Sequence, residues 1–460
     1  MVGSVIKYQQ YTEYKNSGVE WLEEVPQHWA LVPCRAVVDH IVEKNSNNAL
    51  DNYLSLMANI GVIRYEDKGD IGNKKPDDLS KCKIVRRGQL VINSMNYAIG
   101  SYGMSPYDGI CSPVYIVLQT KKDIFLERFA LRIFENTPFQ KYLATFGNGI
   151  LEHRAAINWE DIKNKYVPLP TLDEQKNILD FLDHETSKID SLIEKQQQLI
   201  QLLKEKRQVV ISHAVTKGLN SNVPMKDSGV EWLGEVPEHW TVSKLKYFAS
   251  IQGGFAFSSD LFIEEGTQVL RIGNVYQNSL SLDRQPIFIA SDLVKNFQDF
   301  IVKKDDVLMS LTGTLGKRDY GFAIKVETDD QYLLNQRVAK ISPNKKIDTD
   351  FMVYVLWSES YLTQLYSLPS GTKQANLSNS DVLGIEIVIP PTMEEQKDIA
   401  RYIKEKLAKF DEMILKAESA IQLMQERRTA LISSAVTGKI DVRNWQNPNK
   451  NNKGNMEFSA

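Results

Sequence analysis

A chain of 460 residues is longer than one hydrophobic core usually organises, so two or more domains are expected. Its 42% hydrophobic and 25% charged residues are the composition of a folded globular protein, which excludes general disorder and fibrous architectures. The formal net charge of −3 shows no basic excess, yet net charge averages over a whole surface while nucleic-acid binding uses one face, so charge excludes neither a nucleic-acid nor a protein partner.

Along the chain, residues 1–29 form an N-terminal segment that closes on KNSGVEWLEEVPQHW at 15–29. The motif returns as KDSGVEWLGEVPEHW at 226–240, within a linker of 219–240, and the copies differ only at Asn16/Asp227, Glu23/Gly234 and Gln27/Glu238. Chance does not produce that, so the chain is a tandem repeat. Residues 30–170 are expected to fold as a first globular domain, with the apolar runs at 89–92 and 114–118 read as strands between turn residues. Here a basic cluster, Lys74, Lys75, Lys81, Lys83, Arg86 and Arg87, precedes Asn93, Asn96 and Tyr97. It mixes phosphate-type cations with amides and an aromatic ring suited to base edges. Arg154 stands late in the domain, before the segment leading to the next helix.

Residues 171–218 are predicted to form a long helix. Thr171-x-x-Glu174 is a capping box just after proline, and Ile178, Leu182, Ile189, Leu192, Leu199, Leu203 and Val210 trace a heptad seam that stops near Gly218. A second globular domain follows at 241–391, with a strand at 306–309. Its candidate DNA loops carry Lys303 and Lys304, then Thr312, Thr314, Lys317 and Arg318, with Lys373 in the position matching Arg154. All these loops read equally as solvated charged turns. A second helix is predicted at 392–440, opening on Thr392-x-x-Glu395, with Ile399, Ile403, Phe410, Met413, Ala417, Ala420, Met424 and Leu431 in the same register and Gly438 at its end. Residues 441–460 read as a polar, disordered tail.

About 45 residues of helix make a rod on the order of 65–70 Å. Its seam needs a partner, and antiparallel pairing of the two copies supplies one, with homo-oligomerisation through each helix as the alternative. Between the shared motifs, residues 30–167 and 241–388 have almost no similarity. A repeated frame with diverged inserts suits two equivalent positions that bind different targets; duplication followed by drift is the plainer reading. A pseudo-twofold arrangement would match two separated half-sites on duplex DNA.

Signs of catalysis are lacking. Gly313-Thr314-Leu315-Gly316-Lys317 is too short for a phosphate loop and is followed by Arg318 instead of Ser or Thr. Pro390-Pro391 caps a helix and belongs to no methyltransferase motif. His28, His40, His153, His184, His213 and His239 show no metal spacing, and the repeat equivalents His28 and His239, beside Trp29 and Trp240, read as structural. Cys34, Cys82 and Cys111 match neither a zinc site nor a disulfide pattern. No apolar run nears the roughly 18 residues of a membrane span and Met1 to Lys7 lacks a signal-peptide core, so a cytoplasmic location is expected.

Three motifs, the tandem SGVEWLxEVPxHW, the P-T-x-x-E-Q helix start and RxxLISxAVTGKIDVR from Arg428 to Arg443, resemble those of Type I restriction-modification specificity subunits. The likeness spans nearly the whole chain, leaving out the first dozen residues and the tail from Asn444. It implies an α+β fold: two globular mixed α/β target recognition domains separated by two long antiparallel coiled-coil helices in a pseudo-twofold tandem repeat. It also implies a subunit without catalysis that reads a bipartite, asymmetric double-stranded DNA target. Such a subunit docks two adenine methyltransferase subunits and, through them, ATP-dependent restriction and translocase subunits. S-adenosylmethionine, ATP and Mg2+ would sit on those partners and no cofactor on this chain. The rivals are a coiled-coil scaffold that bridges proteins without reading DNA, and an enzyme of unfamiliar type.

Overall fold

The computed structural model describes residues 8–72, 74–95, 97–147, 156–368 and 373–448. They fall into two units, Met1–Gln196 with Ser419–Ala460, and Gln197–Glu418. The linear segmentation read from the sequence therefore does not match the units: each contains one opening motif, one divergent insert and one half of each long helix.

In the first unit β1 (Val38–Ile41), β2 (Leu90–Asn93), β3 (Tyr102–Met104) and β4 (Tyr115–Thr120) form an antiparallel sheet in the order β1-β4-β2-β3. The expected strands at 89–92 and 114–118 are β2 and β4, and both of their faces are covered. Leu90, Ile92, Ile116 and Leu118 share a core with Phe129 and Ile133 of α1 (Glu127–Phe134), while Val91 and Val117 pack with Leu54 and Val85. Burial on both faces is why these segments read as continuous apolar runs instead of alternating ones. Asn136 caps α2 (Thr137–Ala144), and Ala30–Pro33 pairs with Tyr166–Leu169, closing the insert beside the start of α3 (Leu172–Lys217).

The second unit repeats the pattern. Here β5 (Ala249–Gly253), β6 (Val307–Ser310), β7 (Ala323–Lys325) and β8 (Val338–Pro343) are ordered β5-β8-β6-β7, followed by α4 (Thr349–Trp357) and α5 (Glu359–Ser367), capped by Asp348 and Ser358. Thr241–Lys244 pairs with Glu386–Ile389 before α6 (Met393–Val436). An added five-stranded sheet contains a parallel pairing, Thr267–Leu270 with Tyr332–Leu334. The sheet shared by both inserts shows that sequences without visible similarity keep one strand order.

Within each unit the two helices pair antiparallel. In the first, Ile178, Leu182 and Ile189 of α3 share a core with Leu431, Ile432 and Val436 of α6, and Arg428 pairs with Asp190. In the second, Leu203, Ile211 and Ala214 of α3 share one with Ile399, Ile403 and Phe410 of α6, and Arg207 pairs with Asp411. Ala417 is also buried, and Val210, Ala420 and Met424 are half-buried.

The predicted seam needs correction at three positions: Leu192, Leu199 and Met413 are 50%, 38% and 46% exposed. Ile193 and Ile414 pack inward in place of their neighbours Leu192 and Met413. The seam advances by four residues from Ile189, where three had been expected, because both members of each apolar doublet satisfy a heptad and only the winding of the helix chooses between them.

The tail assignment is also corrected. Val442 is 1% exposed, the Asp441 amide donates to the Gln9 carbonyl, and the Trp445 ring lies edge-on to Phe181. Two apolar side chains thus anchor the polar stretch; residues 449–460 lie outside those described.

Candidate functional site

The shared motifs close on one another in both units. Glu174, opposite the opening motif, accepts from Trp29 Nε1 at 3.1 Å and Tyr11 OH at 2.9 Å, with His28 Nε2 at 3.1 Å. Its repeat equivalent Glu395 accepts from Trp240 Nε1 at 2.9 Å, with His239 Nε2 at 3.3 Å. Burial, then the Glu174 carboxylate, pushes the Tyr11 hydroxyl far above its ordinary pKa, so it remains a donor. The structural role expected of His28 and His239 agrees with these contacts. The predicted capping boxes are only half formed: Thr171 and Thr392 accept from the Glu174 and Glu395 amides, but both carboxylates turn to the opening motifs.

The next residue ties each insert to its helix. Gln175 accepts from the Leu126 amide and donates to the carbonyls of Ile124 and Pro170, while Gln396 accepts from the Asp348 amide and donates to Lys346 and Pro390. The P-T-x-x-E-Q start is therefore a joint between helix, opening motif and insert. At the far end of each helix a glycine meets the same tryptophan. Gly438, at φ +79, would place a Cβ 2.3 Å from Pro26 Cδ and 3.2 Å from Trp29, and a Cβ on Gly218 would lie 3.2 Å from Trp240.

Among the expected DNA-contacting residues of the first unit, several are engaged inside the protein. Tyr97 is 3% exposed and donates to the Phe134 carbonyl at 2.5 Å, so it belongs to the core and cannot address a base. Asn93 is 4% exposed and its Oδ1 accepts from the Met95 amide, although it lines a cleft of about 160 Å³ with Lys68, Ser55 and Ser101. Arg86 is forked onto Glu43 at 2.5 and 2.9 Å, and Arg87 donates to the Pro106 carbonyl. Lys75 donates to Asp51 O, and Lys83, its pKa lowered by burial, donates to Tyr115 O. Lys74 and Lys81 are exposed, whereas Asn96 and Arg154 lie outside the described residues.

In the second unit Thr312–Thr314 pairs antiparallel with Gln374–Asn376, and Leu315 N donates to Lys373 O, which brings Lys373 beside the loop carrying Lys317 and Arg318. Thr312 is 7% exposed, the Thr314 amide is held by Asp319, and Arg318 is paired with Glu359 at 2.7 Å. Lys304 is paired with Asp329 at 2.9 Å, and Lys303 is exposed. Among the described residues, no ion pair within 4.0 Å engages Lys74, Lys81, Lys303, Lys317 or Lys373.

Sequence reasoning missed a cleft of about 380 Å³ in the second unit, lined by Arg271, Arg284, Arg337, Asn335, Gln336 and Phe257 among others. This unit has six arginines. Arg207, Arg318 and Arg401 pair with carboxylates, whereas the three without an ion pair all line this cleft. The parallel pairing of Leu270 with Leu334 brings Arg271 near Asn335, and buried Asn274 accepts from Arg271 N and donates to the carbonyls of Ser281 and Arg284. Arg271 Nη2 donates to Gln285 O at 2.9 Å, and its buried Nε has no partner. Three arginines scattered along the sequence give no local signal; only the pairing of strands unites them.

Among the described residues there is no cluster of three or more metal-ligating side chains, and no helix is long and apolar enough to cross a membrane. Residues 41–202 and 237–421 match the family described as Type I restriction modification DNA specificity domain. The chain is 30% identical over 340 residues to the Type I restriction enzyme MjaVIII specificity subunit of Methanocaldococcus jannaschii, covering 73% of this chain and 75% of that one. It is 24% identical to the putative MjaX specificity subunit of the same organism, over 95% of this chain and 100% of the other. A solved chain, from work on assembly and conformational transition of the type I R-M system, shares the fold with a TM-score of 0.62 at 16% identity, over 90% of this chain and 99% of that one.

Proposed function

Since this chain belongs to the Type I restriction-modification DNA specificity family, we propose that it is the sequence-reading subunit of such a complex, with each unit reading one half of a bipartite, asymmetric duplex target. The observation that carries this reading is the duplicated frame, in which two inserts of one strand order but unrelated sequence are each matched by the DNA specificity family. Equal scaffolds with unequal surfaces suit two different half-sites.

The chain itself does no chemistry. It directs adenine methyltransferase subunits, which bind S-adenosylmethionine, and ATP- and Mg2+-dependent restriction subunits. The length of the two long helices sets the number of unread base pairs between the half-sites.

Co-expression with an adenine methyltransferase subunit of a Type I system, followed by sequencing of host DNA for methylated adenine, tests the reading. One new motif with two unlike halves is the expected result. A stable complex that methylates no new motif would reject it in favour of a protein-bridging scaffold.

A further inference from the structure

Resting on that reading, we propose that the arginine cleft of the second unit reads base edges in one half-site, with guanine as the principal target of Arg271, Arg284 and Arg337. Elsewhere in this unit the arginines have carboxylate partners, yet the three that line this cleft have no ion pair, and the Arg284 guanidinium lies over the Tyr276 ring at 4.6 Å instead. Gathering uncompensated like charges costs free energy, and an acceptor-rich ligand relieves it.

The chemistry of the cleft favours bases over phosphate alone. A guanidinium presents parallel N–H donors that match guanine O6 and N7, a fit the ammonium of lysine lacks. The amides of Asn335 and Gln336, beside Arg337, have the donor and acceptor pair that suits adenine N7 and N6. This set combines the side chains of direct readout in one concavity, whereas the basic loops of the same unit offer mainly lysines.

The cleft is also fixed in advance. Asn274 is 1% exposed and spends its amide on the backbone that carries Arg271 and Arg284. Gln285, which lines the cleft, holds left-handed backbone at φ 49°, a conformation uncommon for a residue other than glycine. On the other wall, a Cβ at Gly254 would lie 2.1 Å from the Asn335 carbonyl oxygen, so only glycine allows the close approach that positions Asn335 to Arg337. Prepositioned donors lose less freedom on binding.

The test uses the full chain in complex with its methyltransferase subunit and reads methylated adenines in host DNA for Arg271→Lys, Arg284→Ala and Arg337→Ala. In each variant one half-motif should stay intact, which also reports folding and assembly. The other should lose preference at a guanine position by roughly 5- to 150-fold, the worth of one forked contact. If an alanine variant abolishes all methylation, the lysine variant at that position decides: a relaxed guanine position supports base reading, an unchanged motif overturns it. Both half-motifs unchanged in every variant, or methylation reduced equally at all sites with the motif preserved, would also overturn it, the latter marking a phosphate contact. If the unsubstituted chain yields no bipartite motif, the specificity function falls first and this proposal with it.

Discussion

Arg428 Nε donates to Asp190 at 2.9 Å in the first unit, and the repeat equivalents of these residues, Arg207 and Asp411, pair in the second with the helices exchanged. In one unit the arginine comes from α6 and the aspartate from α3; in the other the roles are reversed. A single sequence register, written twice, thus makes two bridges, each fixing where one helix stands against the other.

Because both partners of the Asp190–Arg428 bridge are partly exposed, at 51% and 35%, its net worth is small. A double-mutant cycle with Asp190→Ala and Arg428→Ala should give a coupling of about 0.2–1 kcal/mol that falls with added salt. A value several times larger would mean that the bridge holds the pairing and does more than mark its register.

Substitution of the seam should follow the corrected assignment. Ile193→Asn is expected to cost about 1–3 kcal/mol, whereas Leu192→Asn, at a half-exposed position, should change stability by no more than about 0.5 kcal/mol. Denaturant unfolding of the two variants decides; equal losses would restore the simpler heptad.

Glu174→Ala leaves Trp29 and Tyr11 without their acceptor. We expect a loss of about 2–3 kcal/mol, seen as faster amide exchange at 431–436, and a loss of about 1 kcal/mol for Glu395→Ala, whose side chain is 34% exposed. Exchange at 399–410 should respond only to the second variant.

The cations of one loop should separate in DNA binding. Lys317→Ala should weaken binding about equally across sequences and lower the salt slope by about 0.9, whereas Arg318→Ala, whose side chain already pairs with Glu359, should alter the slope far less. Titrations of the complex at several salt concentrations measure both.

Much of this architecture was legible because motif pairs and apolar periods are local. The Trp29 and Trp240 motifs announced the repeat, and proline with threonine placed both helix starts. The side on which Ile193 prevails over Leu192 was not legible, since it depends on helix winding summed over many turns. Nor was the cleft around Arg271, whose members meet through the pairing of Leu270 with Leu334. Tyr97 misled because an aromatic beside amides has the same sequence signature whether it faces solvent or core.

Acid should weaken the first insert through His40. Burial, reinforced by Lys83, lowers its pKa, and Nε2 has no partner. The unfolded chain then binds a proton more readily than the folded one, so stability is unaffected above the unfolded value of about 6.5 and declines as pH falls below it. Chemical denaturation at pH 7.5 and 5.5 should show a smaller acid loss for His40→Gln than for the unsubstituted chain.

Gly438 meeting Trp29, with Val442 buried in the same core, has a consequence for how the protein is made. The second unit is contiguous, so its residues have all been synthesised once 418 has left the ribosome. The whole first insert is translated earlier, yet its core is complete only after Leu431, Val436 and Val442 follow the second unit. Early synthesis therefore precedes late completion, and until residues 431–442 have been made the apolar surface around Trp29 lacks its cover.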